Sequence, residues 1–285
     1  MKLLMIWSLI RRTIDEFLEE SPFQLAAALS YYTVLSLSPL VLVVVGVAGL
    51  VWSEDAVRAQ LLHQIEQLAG PAGAETVSTV LARGIDPGRD RISVAIGIAT
   101  LLIGATTVFA QLQAALNQIW NVRAAPSNRV LWSLMRTRLL SLALVLALGF
   151  LLLVSLVVSA VLAGLHHYLS AALPAGGAVW QVVNVVVSLA VVAILVGMIF
   201  KALPDVRIAW SDVWFGAMAT SVLFTLGKSL IGLYLGHASI ASSYGAAGSL
   251  VVFLVWVYYS SLIILFGAQV TQTYARLRGV TILPA

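Results

Sequence analysis

The chain contains no cysteine. That absence excludes disulfides, thiolate metal sites and thiol nucleophiles, and by itself leaves the compartment open. Charge is scarce too: Lys, Arg, Asp and Glu make up 10% of the residues, against about 25% in an average soluble domain. With 61% hydrophobic side chains over 285 residues, a soluble fold of this size has too little polar surface to cover its apolar content. The few charges are also bunched. None lies between Glu20 and Glu54, between Arg91 and Arg123, or between Arg138 and Lys201. A helix needs about 20 apolar residues to cross ~30 Å of hydrocarbon, so these gaps hold one, one and two spans. The expected fold class is all-α, as a polytopic membrane protein. Soluble enzymes, nucleic-acid binders and disordered scaffolds are excluded on the same grounds.

What charge there is carries information. A net charge of +4 would point to nucleic acid in a soluble domain, but here the bases sit beside predicted membrane edges, where anionic lipid and topology control account for them. The N-terminal apolar run is cut at Arg11 and Arg12, and no small-residue cleavage site precedes the acids, so the mature chain is expected to begin at Met1. Residues 1–20 read as an amphipathic helix in the cytoplasmic headgroup region, with Leu3, Trp7, Ile10, Ile14 and Phe17 at spacings of three and four. Ser21-Pro22-Phe23-Gln24 restarts a helix, Ser21 as N-cap and Gln24 closing a capping box.

The membrane domain is expected over 21–275, with spans at about 24–52, 92–110, 139–165, 179–200, 213–235 and 249–270. Between the first two, residues 53–91 form the one sizeable hydrophilic stretch. It reads as a small helical hairpin over the outer surface, its first helix ending at Gly70-Pro71 and its second starting near Ala74. The segment 111–122 continues the second span as an interfacial helix, with Asn117, Trp120 and Asn121 seating it on the inner leaflet; residues 276–285 form a short tail. The termini and the loops at 111–138 and 201–212 hold eleven of the sixteen bases. Positive-inside then places both termini in the cytoplasm.

Four stretches, AAALSYYTVLSLSPL (26–40), ALNQIWNV (115–122), KALPDVRIAWSDVWFGAM (201–218) and GKSLIGLYLGH…SSYGAAGSLVVFLVWVYYSSLIILFGAQV (227–270), resemble the YihY/BrkB family of bacterial inner-membrane proteins. The likeness covers about 20 to 275. It implies a six-span bundle in the bacterial cytoplasmic membrane and brings no agreed activity; virulence factor and ribonuclease are family labels, not mechanisms. Similar proteins usually read Gly-Ala-Glu near the end of the last span, where this chain has Gly267-Ala268-Gln269. That departure removes the carboxylate on which a proton- or cation-coupling role there would rest.

The residues themselves argue against an enzyme. The cytoplasmic acids Asp15, Glu16, Glu19, Glu20, Asp205 and Asp212 form no metal-ligand motif, and no Walker loop, HExxH or nucleophile elbow is present. His166 and His167 are adjacent, and neighbouring helical residues point apart. No cofactor and no metal are expected. Lys228 stands out as the only formal charge inside a predicted span, at a cost of about 2.5–3.5 kcal/mol at mid-bilayer. Either it snorkels outward or onto carbonyls freed at Pro39, or it faces a polar cavity and meets an anion or lipid headgroup. Tyr32, Ser36, Ser38 and Pro39 make the first span unusually polar and kinked, and Tyr234 and Gln269 add polar groups in the last two spans. Helix packing explains Gly232-x-x-x-Gly236, and helix-to-helix hydrogen bonds explain many such polar residues. A Pro-interrupted polar span beside an unpaired lysine also suits a pathway lining.

The expected function is passive or gradient-driven transport, permease- or flippase-like, of an anionic or lipidic substrate. Its expected partners are membrane lipids and that solute, without nucleic acid. A non-transporting scaffold or envelope-assembly factor is the alternative. The absence of native cysteine makes the topology directly testable. In spheroplasts, an impermeant maleimide is expected to label Ser242→Cys, and to label Ser127→Cys only after lysis.

Overall fold

A computed structural model of the chain describes residues 2–48, 53–82, 104, 107–122, 176–237, 248–279 and 283–284. The expected third span, all but the last residues of the second, His166, His167 and the 238–247 loop lie outside the described residues. The helices are α1 (Lys2–Glu19), α2 (Pro22–Ala48), α3 (Glu54–Ala82), α4 (107–119), α5 (Gly176–Ala202), α6 (Trp210–His237) and α7 (Gly248–Leu277). Those from α5 to α7 overlap the expected fourth, fifth and sixth spans, and α2 the first. Among the described residues, Val185–Ala202 and Gly248–Leu277 are long and apolar enough to cross a membrane.

Local chemistry sets the boundaries. Between α1 and α2, Ser21 takes a left-handed φ of 53°, and its carbonyl accepts the N–H groups of Gln24 and Leu25. The turn therefore comes at the expected N-cap residue. Gly70 breaks α3 with φ 75° and ψ −177°, a backbone open to glycine at little cost. Pro71 then opens the second arm directly, three residues ahead of the expected restart, because proline at a first helical turn forfeits no hydrogen bond. At the end of α4, Asn121 adopts φ 55° while the Val122 N–H reaches the Asn117 carbonyl over 2.9 Å. That is a left-handed helix cap, a conformation asparagine tolerates.

Two apolar cores lie at opposite ends of the bundle. One joins Ala26 and Leu29 of early α2 and Val213 and Ala217 of early α6 to Phe200 of late α5 and Leu265 of late α7. Residues from α4 and Phe17 of α1 complete it. At this end, here called proximal, α2 and α6 begin while α5 and α7 finish, so these four helices alternate in direction. The distal core packs Leu37, Val41 and Val45 of α2 and Phe253 and Val257 of α7 against both arms of α3.

Helices α6 and α7 approach each other through two reciprocal glycine–threonine pairs. A Cβ on Gly216 would fall 1.7 Å from the Thr271 hydroxyl, and a Cβ on Gly267 would fall 1.7 Å from that of Thr220. Each threonine hydroxyl donates to a carbonyl one turn back in its own helix, Thr220 to Gly216 at 2.6 Å and Thr271 to Gly267 at 2.9 Å. The hydroxyls are thus satisfied locally and press against bare backbone opposite. This contact stands elsewhere than the Gly232-x-x-x-Gly236 spacing singled out from sequence.

The all-α expectation has one addition. After α7 the chain turns at Gly279 (φ 76°), and Leu283–Pro284 (β2) pairs antiparallel with Val206–Arg207 (β1) in the α5–α6 turn. Arg278 reaches the buried Asp212 carboxylate at 2.8 Å, and Tyr274 stacks on Phe215 with ring centroids 4.0 Å apart. Four residues are too few for sequence periodicity to register a strand.

The α6–α7 contact predicts a specific pair of outcomes. Gly216→Val is expected to lower stability by about 1–3 kcal/mol, read as a fall in Tm of the purified protein. Thr271→Gly in the same chain is expected to restore part of the loss.

Candidate functional site

Polar side chains enter an otherwise apolar fold at the proximal end, and they centre on α7. Ser260, Ser261, Gln269, Thr271, Gln272 and Thr273 are all buried on that helix. Thr271 is accounted for by its own helix. Gln269 faces α1, whose Glu16 carboxylate acts as a hub. One oxygen of Glu16 accepts Arg12 Nε at 2.9 Å. The other accepts Gln269 Nε2 at 2.9 Å, the Thr273 hydroxyl at 3.3 Å and Arg276 Nη1 at 3.4 Å. Beside this hub Phe17 meets Phe266 edge to face, ring centroids 5.3 Å apart.

The carboxylate orders the amides beyond it. Because Gln269 turns its NH₂ to Glu16, that NH₂ also reaches Gln272 Oε1 at 2.9 Å. Among the described residues, Gln269 Oε1, Gln272 Nε2 and the Thr13 hydroxyl are left without a hydrogen-bond partner, although each residue is 1% exposed. Flipping either amide would set oxygen against oxygen at Glu16 or NH₂ against NH₂ at Gln269, so the unpaired groups follow from the hub.

A second polar joint ties α4 to the α5–α6 turn. Asp205 accepts Asn117 Nδ2 at 2.9 Å and Gln113 Nε2 at 3.2 Å, while its own N–H donates to Asn117 Oδ1 at 2.9 Å. Trp120 is buried edge-on to Phe200 at 5.9 Å. Asn117 and Trp120 therefore seat α4 on protein rather than on the lipid leaflet expected from sequence, because Asp205 supplies a partner that no local pattern reveals. Next to this joint, the Lys201 ammonium donates to the Ile208 carbonyl and lies 5.8 Å from the Trp210 ring centroid.

The sequence-derived site residues fall at different levels. Ser36 is buried on α2 between the two cores, whereas Ser38 is exposed. Tyr32 is half-buried, its ring 5.5 Å from that of Tyr31. Lys228 and Tyr234 lie on α6 and Pro39 on α2, with their side chains outside the described residues. A Cβ on Gly227 would meet the Tyr259 hydroxyl at 2.1 Å, which places the Lys228 backbone level with that part of α7. From Tyr259 to Gln269 is ten residues, or roughly 15 Å along a helix. Gln269 thus belongs to the proximal cluster, well away from the level of Lys228. Sequence reading missed Glu16, Gln272 and Thr273 as its companions; Gln269-x-x-Gln272-Thr273 on one helix face was the available signal.

Elsewhere, the two arms of α3 flank an open surface groove of about 490 Å³ lined by Leu62, His63, Glu66, Glu75 and Ser78. Among the described residues, no group of three or more His, Asp or Glu side chains is placed to hold a metal.

Apolar helices that alternate in direction, two of them among the described residues long and apolar enough to cross a bilayer, suit a helical membrane protein. The family model described as Virulence factor BrkB matches residues 13–283, and the chain belongs to that family. It is 30% identical over 248 residues to a UPF0761 membrane protein of Pseudomonas paraeruginosa, covering 85% of this chain and 57% of the relative. It is 29% identical to one of Halorhodospira halophila, covering 89% and 53%, and 26% identical to one of Alkalilimnicola ehrlichii, covering 92% and 57%. The chain thus spans little more than half the length of these relatives. No solved structure matches it.

The Asp205 joint brings together two of the four stretches that carry the family resemblance. Asp205→Ala is expected to cost about 1–3 kcal/mol, because it strips partners from the buried Gln113 and from Asn117. Asn117→Ala should lower Tm similarly, and the double variant should lose less than the sum in a thermal-melt cycle.

Proposed function

We propose that this protein is a six-span transporter of the bacterial inner membrane with both termini cytoplasmic. It passes an anionic or lipidic solute passively or down a gradient, permease- or flippase-like, without enzymatic activity. The alternating directions of α2, α5, α6 and α7 suit the scheme's first, fourth, fifth and sixth spans. Under that scheme the proximal end is cytoplasmic and α3 caps the outer end. The exposed apolar side chains of α6, Met218, Val222 and Leu226 among them, then face lipid, and Trp7, Ile10 and Ile14 of α1 lie in the headgroup region.

The observation that carries the transport reading is the polar content of α7, with side chains that find no partner among the described residues at two levels: Ser260 Oγ near mid-helix, and Gln269 and Gln272 at its proximal end. In a passive anchor such groups cost free energy without return. Along a route they give a polar solute and its water something to bond. Lys228 is assigned the role of attracting the anionic group, with Tyr32, Ser36, Ser38, Pro39 and Tyr234 flanking the route.

Mass spectrometry of ligands retained in native-lipid discs tests this directly. An acidic lipid or metabolite enriched in wild type should fall at least about tenfold in folded Lys228→Met, the equivalent of one lost charge-assisted contact, and the retained species should then be carried in proteoliposome flux assays. Identical spectra, with no flux of any acidic species, would transfer the weight to the scaffold alternative.

A further inference from the structure

The contact between α1 and α7 is built of opposing parts. Glu16 holds it closed through three donors on α7: Gln269, Thr273 and Arg276. On the same two helices, among the described residues, a hydroxyl of α1 (Thr13) and an amide oxygen and an amide nitrogen of α7 are buried without partners. The helices run antiparallel here: Phe17 meets Phe266, while Glu16 meets Gln269 and Thr273 further along α7. Thr13, one turn ahead of Glu16, consequently comes level with the Gln272 turn, so attraction and penalty share one interface. Buried polar groups left unpaired favour any state in which water reaches them.

The rest of α1 permits such a state. Its far face, Trp7, Ile10, Ile14 and Leu18, is 43–65% exposed, a stripe at helical spacing that makes no core. Sequence periodicity had put Phe17 on that stripe; the structure turns Phe17 inward with Thr13, and Leu18 takes its place. Arg11 and Arg12 flank the stripe with side chains 75% and 56% exposed. A helix of this form rests on an anionic membrane surface through apolar burial and charge, whether or not its inner face is docked. Its pivot is defined as well. Ser21 holds the left-handed turn, and Gln118 of α4 donates to the Glu20 carbonyl at 3.2 Å, fixing the chain immediately before it.

We propose that α1 is a latch on the proximal end of α7. Docked, it seals Gln269 and Gln272; released by rotation about Glu20–Ser21 onto the membrane surface, it exposes both amides to water and opens that end of the polar side of α7. The proposal deepens the transport reading, and its role in flux rests on that reading, whereas the motion itself does not.

The test uses the full chain in lipid discs, with spin labels at Ile10→Cys, well ahead of the pivot, and Leu277→Cys, both exposed positions outside the contact, in a background that has no other cysteine. Two distance populations are expected, docked and released. Thr13→Val keeps the shape and deletes an unpaired hydroxyl, so the docked-to-released ratio should rise by about fivefold or more. Glu16→Ala should shift it the other way. A single distance unmoved by both substitutions, or a docked population that falls in Thr13→Val, would overturn the latch. If the populations respond as stated while proteoliposome flux of acidic lipid or solute is absent, the latch stands and the transport reading falls. If flux is present, Thr13→Val should slow it.

Discussion

Two helices can approach this closely in an apolar medium only if each side chain at the crossing meets bare backbone opposite and no polar group there is left unpaired. The α6–α7 contact meets both conditions with four residues. Gly216 and Gly267 remove the Cβ atoms, and Thr271 and Thr220 fill the space with hydroxyls already bonded to their own helices. Lipid tails solvate leucine as well as a helix does, so close van der Waals packing of this kind replaces the hydrophobic drive. The position of α7 follows from this contact. Because α1, α2 and α3 all pack on α7, the two cores and the proximal polar cluster inherit their geometry from it.

The polar groups of α7 divide by how they are satisfied. Thr271 bonds to its own helix, a solution that needs no other element and costs little in an apolar surrounding. Gln269 requires Glu16, which lies 253 positions away in the chain. Its orientation then dictates that of Gln272 and leaves an acceptor and a donor unpaired. The proximal end is therefore where this fold keeps its electrostatic tension. The α4 joint at Asp205 shows the opposite economy, with both Asn117 side-chain atoms used on one residue.

Several elements were legible in the sequence because their causes are local. Charge-free gaps and apolar runs located α2, α5, α6 and α7, and Gly70-Pro71 marked the break in α3. The Ser21 boundary was legible for the same reason. Partnerships between distant segments were not. Asn117 and Trp120 look like interfacial residues until Asp205 and Phe200 are placed beside them. Phe17 belongs to the same apolar stripe as Ile14 by spacing, and only the docking of α1 on α7 turns one inward and the other outward. Gln269 and Lys228 could be grouped as polar residues of late spans; helix levels set them roughly 15 Å apart.

By itself the sequence determined that the chain is helical and membrane-bound and roughly where the described helices lie, because hydropathy, capping and backbone preference act within a few residues. It also determined which small residues were available for close packing. Tertiary structure decided which of them are used: Gly216 with Thr271 and Gly267 with Thr220, out of 21 glycines in the chain. It likewise decided that Glu16, an ordinary acid on an amphipathic helix, becomes the hub for α7. The physical reason is common to both. A contact at 3 Å depends on where two helices cross, and that crossing is set by the summed packing of the whole bundle rather than by either segment alone.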